Sequence, residues 1–391
     1  MTSTRRTALA AAAACLACGG ASFAQVAVQL RGGAADRVVA VATPLEQGLE
    51  VRTDDGRGGE VRDLIPWDEV RGVADGDGRH PADAFLPMAE DLWRARIRVA
   101  RRDAALARPL LERHWERLRG ASGPTAQMAA EGLLRATVEV GDLRAAVGPW
   151  IACLRLGSAG TPTRFGGLEP LLDDGTGLLP ALPPFVPAEV RQALIEAHAE
   201  AGAHARRIAP SQDAAPLIAA GVALRMEGLL AVAGGAQPAA SDQSATPDAP
   251  ALRVLAAIEA IVVAKDARTR GEAVAAFDRL MPEPPAFLAT WRLAAIGANG
   301  ARLARAVSGD ARAAALAGAA LENLAVPASG LDRTGLVDAY AIELAGELLR
   351  EAGDPASASA LDALKAERLR ESAVRAGPTP PRSDTSRTDA P

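Results

Sequence analysis

The sequence predicts a mainly α-helical protein in which a small all-β, barrel-like unit precedes a series of αα-hairpin repeats. Nearly half of its 391 residues are apolar, yet only 3% are aromatic. Alanine, leucine and arginine are abundant, and all three favour helices. Short runs of β-forming residues occur early in the chain, and pairs of helical segments joined by tight turns recur after them. Helix pairs that recur in this way stack into a solenoid.

The first 24 residues have the three parts of a secretory signal peptide. Arg5 and Arg6 precede an apolar run, and the small-residue site Ser22-Phe23-Ala24 follows it. The run is too short to span a bilayer. We therefore expect cleavage near Ala24 and export to the periplasm or the exterior, with general secretion and twin-arginine export both left open.

Cleavage there would leave 41 basic and 48 acidic residues, a net charge of −7. A mature protein with this charge is a poor candidate for nucleic-acid binding. Two of the three cysteines would leave with the signal peptide, so Cys153 could form no intramolecular disulfide. We expect it to pack as a small hydrophobic residue.

Residues 26–75 are predicted to form the β unit. Leu49, Val51 and Thr53 alternate with charged residues, which is the pattern of a strand with one buried face. So few strands need closure into a barrel or packing on other elements to be stable. Trp67 is expected to plug the space between this unit and the helices.

Two helix pairs are predicted within residues 84–160, with Trp93, Ile97 and Ala100 on one face of the first helix. The turns Arg102-Asp103 and Gly141-Asp142 lie 39 residues apart. Each aspartate is followed, at intervals of four residues, by a small residue and then by two large apolar ones. The eight repeat positions are Asp103, Ala107, Leu111, Trp115, Asp142, Ala146, Trp150 and Leu154. The alanines would let partner helices approach closely, and Asp142 would cap its helix.

The segments GDLRAAVGPWIACL and RDAALARPLLERHW resemble the second half of a tetratricopeptide repeat. The resemblance implies stacked helix pairs whose inner surface, built mainly from first helices, binds a protein or peptide. Trp93 lies off the family's usual aromatic register, and Pro109 and Pro149 fall inside the second helices, where proline bends the axis. Gly309-Asp310 and Gly353-Asp354 repeat the turn further along. The resemblance is therefore to a degenerate repeat.

The remaining segments divide by composition. Residues 161–187 form a long Gly/Pro loop that keeps leucine and phenylalanine, so it is expected to lie across the scaffold. Residues 188–232 are helical, and 233–250 are a low-complexity linker. Residues 251–373 form a C-terminal helical repeat region, and 374–391 a disordered tail. An apolar run within 217–234 carries Arg225 and Glu227, which predicts a buried helix and no transmembrane segment in the mature chain.

No sequence motif for a nucleophile, a phosphate loop, a cofactor or a metal site is present. His198 and His204 are six residues apart, which is not the spacing that places two metal ligands on one helix face. The adjacent carboxylates Asp173 and Asp174 lie in the long loop and are typical of a solvated turn.

Arg94, Arg98 and Arg101 are the candidate partner-binding residues. Their spacing places three guanidinium groups along one side of a predicted helix. Such a stripe could hold an acidic peptide or its terminal carboxylate, although it could equally be a solvated face paired with Glu90. The side of the helix that these arginines occupy decides between a peptide-binding stripe and a solvated face.

The sequence favours an exported, non-catalytic scaffold that binds a protein or a peptide through its helices. One alternative is an enzyme that acts on an envelope polymer, with a cleft lined by carboxylates such as Asp173 and Asp174. A pocket that gathers several acids with His198 or His204 would favour that enzyme. In a third hypothesis the β unit recognises the partner and the helices are a spacer.

Overall fold

The computed structural model describes residues 25–54, 57, 59–75, 79–209, 213–236 and 248–375. The predicted signal peptide, most of the predicted linker and the predicted tail from residue 376 lie outside these residues. The chain divides into two compact units, one ending at Glu90 and the other beginning at Asp91. Each unit is described separately.

The first unit contains the predicted all-β structure, as six strands in two three-stranded antiparallel sheets. The strands are β1 Val26–Leu30, β2 Arg37–Val39, β3 Val41–Leu45, β4 Gly48–Asp54, β5 Glu60–Ile65 and β6 Val70–Ala74. Their orders are β2-β1-β6 and β3-β4-β5. Only Ala40 separates β2 from β3, and its N–H donates to the Arg52 carbonyl at 2.9 Å, so the chain passes directly from one sheet to the other.

The alternation in β4 is that of a strand with one buried face. Leu49 and Val51 are buried, while Glu50 and Arg52 are partly exposed. Trp67 is completely buried within the same unit. Its Nε1 donates to the Leu45 carbonyl at 2.8 Å, and its ring stacks on Phe85 at 4.7 Å. The indole is therefore part of the core of the first unit.

Twelve α-helices follow within the described residues, so the predicted mainly helical class is confirmed. They are α1 Leu86–Ala100, α2 Ala104–Leu118, α3 Gly123–Glu139, α4 Leu143–Ser158, α5 Ala188–Ile208, α6 Ala214–Ala233, α7 Pro250–Val263, α8 Ala267–Leu280, α9 Ala286–Arg305, α10 Ala311–Ser329, α11 Leu336–Ala352 and α12 Pro355–Arg375. Within the predicted C-terminal region, Asp266 starts α8 with a capping box, and Gly353-Asp354 separates α11 from α12.

Four turns between helices have an aspartate preceded by a residue in the left-handed backbone conformation. The φ angles are +59° at Arg102, +75° at Gly141, +71° at Gly309 and +90° at Gly353. In three of them the aspartate N–H donates to a carbonyl five residues earlier, at 2.8–2.9 Å. This is the hydrogen bond that ends a helix with a left-handed residue. Glycine adopts this conformation without strain, whereas Arg102 does not.

The repeat positions of α2 and α4 face the interior to different degrees. Ala107 and Ala146 have no exposed surface, and Leu111, Trp150 and Leu154 are also buried. Trp115 is half-buried. The Asp142 carboxylate accepts from the Ala145 N–H at 3.1 Å and so caps α4, while Asp103 forms no side-chain cap on α2.

The buried face of α1 is not the face that carries Trp93, Ile97 and Ala100. Leu92, Ala95 and Val99 are buried, whereas Trp93 and Ile97 are half-buried and Ala100 is exposed. Apolar and charged residues alternate along this helix, so two stripes at helical spacing are possible. The stripe that continues the buried Met88 and Ala89 faces the interior.

The long loop is part of the core of the second unit. Leu178, Leu179, Leu182, Phe185 and Val186 are all buried, although they belong to no helix. Two residues of the helix pairs hold the loop in place. The Trp150 Nε1 donates to the Gly177 carbonyl at 3.1 Å, and the Glu131 carboxylate accepts from Thr163 Oγ1 at 2.8 Å.

Among the described residues, α6 is the one helix long and apolar enough to cross a membrane by length and composition. Half of its most apolar stretch is buried within the protein. Met226 and Leu230 are completely buried, and Arg225 pairs with Glu259 of α7 at 2.5 Å. In this structure α6 packs as a core helix.

Candidate functional site

Arg94 and Arg98 lie on one side of the C-terminal half of α1, and Arg101 directly follows the last residue of that helix. Arg94 and Arg101 are exposed, and Arg98 is half-buried. Glu90, the expected partner on the preceding turn, pairs with Arg31 at 2.6 Å. The side chains of Arg94 and Arg101 are therefore accessible to a segment that approaches from solvent, and Arg98 is partly accessible.

Ion pairing distinguishes Arg98 and Arg101 from their neighbours. In the part of the chain that the structure describes, neither has a carboxylate oxygen within 4 Å. On α2, by contrast, Arg108 pairs with Glu112 at 2.6 Å and Arg113 pairs with Asp91 at 2.6 Å. The partial negative charge at a helix C-terminus favours both cations. They also remain available to a carboxylate from outside.

A cavity of about 340 Å³ lies between α2, α4 and α5, with α3 at its base. Trp115, Ile151, Ala201 and Ile208 are among its apolar lining residues. The cavity is built from small residues on α4 and α5, which leave space where larger side chains would pack. Its volume is in the range that holds small organic ligands.

Arg155 of α4 is the most buried charged group of this cavity, with 8% of its surface exposed. Its Nη2 donates to the Ala121 carbonyl at 2.5 Å and to the Arg119 carbonyl at 3.3 Å, just beyond the end of α2. Its Nε has no hydrogen-bond partner, and no carboxylate of the described residues lies within 4 Å. Burial lowers the pKa of Arg155, and the more distant Asp213 opposes this.

The two histidines of α5 occupy different places. His204 lines the cavity, where burial and the nearby Arg119 lower its pKa, so the ring is neutral near pH 7. His198 is buried in the core, edge-on to Trp150 at 5.7 Å, and burial lowers its pKa to about 3. The structure does not bring them together.

Four carboxylates line the cavity, and all of them have an arginine within 4 Å. Glu112 and Asp142 pair with Arg108 at 2.6 and 2.8 Å. Glu116 and Glu200 pair with Arg119 at 3.0 and 3.6 Å. Four acids therefore share two arginines at the rim, around the more deeply buried Arg155.

The loop carboxylates Asp173 and Asp174 do not line the cavity. Asp173 Oδ2 accepts from Thr176 Oγ1 at 2.7 Å and from the Thr176 N–H at 2.9 Å, which closes a turn. Asp174 is exposed. A side-chain-to-backbone turn accounts for Asp173 without any catalytic role.

Burial or contacts within the protein account for the remaining cysteine and histidines. Cys153 is buried, and burial raises the pKa of its thiol. His80 Nδ1 accepts from the Ala82 N–H at 3.1 Å, and His114 Nε2 lies 2.9 Å from Asp91. Across the described ranges, no three His, Cys, Asp or Glu residues are grouped as a metal site would require.

Comparison of the chain with protein-family models, with curated proteins and with solved structures finds no match. Its function must therefore be inferred from its own geometry.

Sequence reasoning missed Arg155 and Glu131. Arg155 interrupts the apolar run from Trp150 to Leu156, and a cation in such a run is a signal of a buried polar group. Glu131 has Arg135 within 3.1 Å and accepts from Thr163 of the loop. The contact with Thr163 depends on the path of the loop, which no local pattern specifies.

Proposed function

We propose that the protein is an exported, non-catalytic scaffold that binds an acidic segment of a partner protein along Arg94, Arg98 and Arg101. The observation that carries this proposal is that Arg98 and Arg101 lack carboxylate partners among the described residues. Guanidinium groups bind carboxylates through paired hydrogen bonds, so a solvent-accessible stripe of them suits an acidic segment.

The scaffold is proposed to be a degenerate array of tetratricopeptide-like helix pairs. The recurrent left-handed turns before aspartate support this proposal, as do the fully buried alanines at equivalent places of α2 and α4. Superposition of α1–α2 on α3–α4 in an experimental structure tests it. Divergent packing angles for the two pairs would contradict it.

The envelope-polymer enzyme is a second candidate, because the cavity gathers four carboxylates with His204. The pairing of all four acids with arginines favours binding over catalysis, since a general acid must hold a proton near neutral pH. Release of soluble fragments from purified envelope polymer by the wild type, and not by Glu200→Gln, would favour the enzyme.

The partner-binding proposal is tested by cross-linking and pull-down of the mature protein from envelope extract. We expect the triple variant Arg94→Glu, Arg98→Glu, Arg101→Glu to lose the captured partner. The matched control, Arg253→Glu, Arg268→Glu, Arg370→Glu, makes the same change in net charge on exposed residues of other helices. Equal capture by all three proteins would remove the stripe from consideration.

Export is tested separately by sequencing the N-terminus of the protein recovered from its native cells. We expect the mature chain to begin at Gln25. An intact N-terminus in a cytoplasmic fraction would contradict export and leave the binding test unaffected.

A further inference from the structure

We propose that the cavity between α2, α4 and α5 is a binding site for a small organic acid, with one carboxylate and an apolar body. This site is separate from the arginine stripe, and its occupancy does not depend on the proposed partner. The carboxylate lies toward Arg155, and the apolar body packs against Trp115 and the neighbouring apolar walls.

The charge of the ligand follows from Arg155. This guanidinium is more than nine-tenths buried, and two backbone carbonyls engage only its Nη2. A buried cation is costly unless an anion or several acceptors compensate it. No described carboxylate supplies that anion within 4 Å, so a ligand carboxylate would complete the site.

The body of the ligand follows from the walls. Trp115, Ile151, Ala201 and Ile208 give an apolar lining, and the volume of about 340 Å³ admits a short aliphatic chain or a small aromatic group. Burial of such a body contributes to affinity in proportion to its apolar area.

The carboxylates at the rim of the cavity restrict the net charge of the ligand. Glu116 and Glu200 are largely exposed, and they share the single guanidinium of Arg119. A second carboxylate on the ligand would lie near these acids and be repelled. The site therefore favours monocarboxylates over dicarboxylates.

Two classes of ligand combine one carboxylate with an apolar body: a fatty acid, and the free C-terminus of a peptide whose last residue is apolar. Octanoate represents the first, and the tripeptide Ala-Ala-Leu represents the second. Octanol and the amide of the tripeptide are the neutral counterparts, and suberate is the dicarboxylate.

The experiment is isothermal titration of the purified full-length protein with these five probes. We expect at least one acid to bind about tenfold to a hundredfold more tightly than its neutral counterpart, because hydrogen bonds to charged groups are strong. Suberate should bind more weakly than octanoate. The acid with the higher affinity identifies the source.

Three variants localise the site. Arg155→Met should bring the acid to the affinity of its neutral counterpart. Gly148→Leu should weaken binding of every probe, because Gly148 lines the cavity and a leucine side chain there would occupy space beside Trp115. A Cβ built at Gly148 lies 3.9 Å from Trp115 Cζ2. Arg206→Gln, a change at an exposed arginine of α5 that does not line the cavity, should preserve the preference for the acid.

Gly148→Leu keeps the test valid if Arg155→Met fails to fold, since leucine is a better helix former than glycine. Binding of no probe by the wild type would overturn the site. Equal binding of acids and their neutral counterparts, or acid binding unchanged by Gly148→Leu, would overturn the assignment. Partner capture by the stripe would survive each of these results.

Discussion

Single residues carry strain and charge that the helical pattern alone does not show. Arg102 takes the left-handed conformation that glycine takes at the three equivalent turns. Asp338 is 5% exposed near the start of α11, and its Oδ1 has no hydrogen-bond partner among the residues that the structure describes. The backbone conformation of Arg102 and the burial of the Asp338 carboxyl group both cost free energy, and both costs can be measured.

Arg102→Gly should stabilise the protein by about 1 kcal/mol, since a left-handed non-glycine residue costs roughly that amount. Chemical unfolding of the purified protein measures the change. Arg102→Ala is the control, because it removes the side chain and keeps the backbone strain. A gain from alanine as large as that from glycine would show that the side chain, and not the φ angle, is responsible.

Asp338→Asn should change how stability depends on pH. Burial, with the neighbouring Asp332, raises the pKa of Asp338 to about 6. The folded protein therefore holds this proton more tightly than the unfolded chain, whose aspartates titrate near pH 3.9. The stabilising contribution of the protonated form is complete below about pH 4 and is lost as pH rises to about 6.

Between pH 5 and pH 7.5 the advantage of Asp338→Asn over the wild type should grow by about 1 kcal/mol, after a discount for solvent screening. Free energies of unfolding at the two pH values measure it, with the exposed Asp174→Asn as the control. An advantage that is constant, or that shrinks with pH, would show that Asp338 is already ionised in the folded protein near pH 5.

At the scale of elements, the positions of turns could be predicted from the sequence, whereas the face that each helix buries could not. The Gly-Asp turns and the alternation of β4 are local patterns, and the structure contains them. The buried face of α1 does not follow from its sequence pattern, because two apolar stripes share that helix. The loop of residues 161–187 could be expected to lie across the scaffold, but its burial depends on contacts with Trp150 and Glu131 that are distant in sequence.

Gly177→Ala should destabilise the second unit by at least about 1 kcal/mol, because a side chain at a positive φ is strained. The φ angle of Gly177 is +72°, and a Cβ there would lie 2.8 Å from Leu154 Cδ2. Thermal unfolding measures the loss. Gly166→Ala, in the same loop, has no contact closer than 3.9 Å and is expected to change little. Equal effects of both changes would contradict the role of Trp150 and Leu154 in holding this turn.

At the scale of the whole molecule, the helices do not contact only their neighbours in sequence. Lys365 of α12 pairs with Glu189 of α5 at 2.7 Å and with Glu343 of α11 at 2.5 Å. Phe185 of the loop packs against Tyr340 of α11 at 5.6 Å. A repeat array stabilised only by adjacent repeats would lack such contacts. The resemblance of two short segments to a repeat family therefore could not predict the packing of the C-terminal helices.

For the candidate site, too, the local spacing of residues could be predicted and the contacts between distant residues could not. The spacing of Arg94, Arg98 and Arg101 gave one side of α1 directly, since helical geometry fixes it. Whether any described carboxylate pairs with Arg98 or Arg101 depends on side chains from other turns and helices. The cavity around Arg155 requires four helices to meet, which the sequence does not encode in any short segment.

The central claim is that the stripe on α1 is where the partner binds. The most direct measurement is site-specific photocross-linking in the intact protein, with a photoreactive amino acid at the exposed Ala100 beside Arg101 or at the exposed Val61 on β5. Cross-linked partner should form from position 100 and disappear when Arg94, Arg98 and Arg101 are changed to glutamate. Cross-linking from position 61 alone would contradict the claim and assign recognition to the β unit.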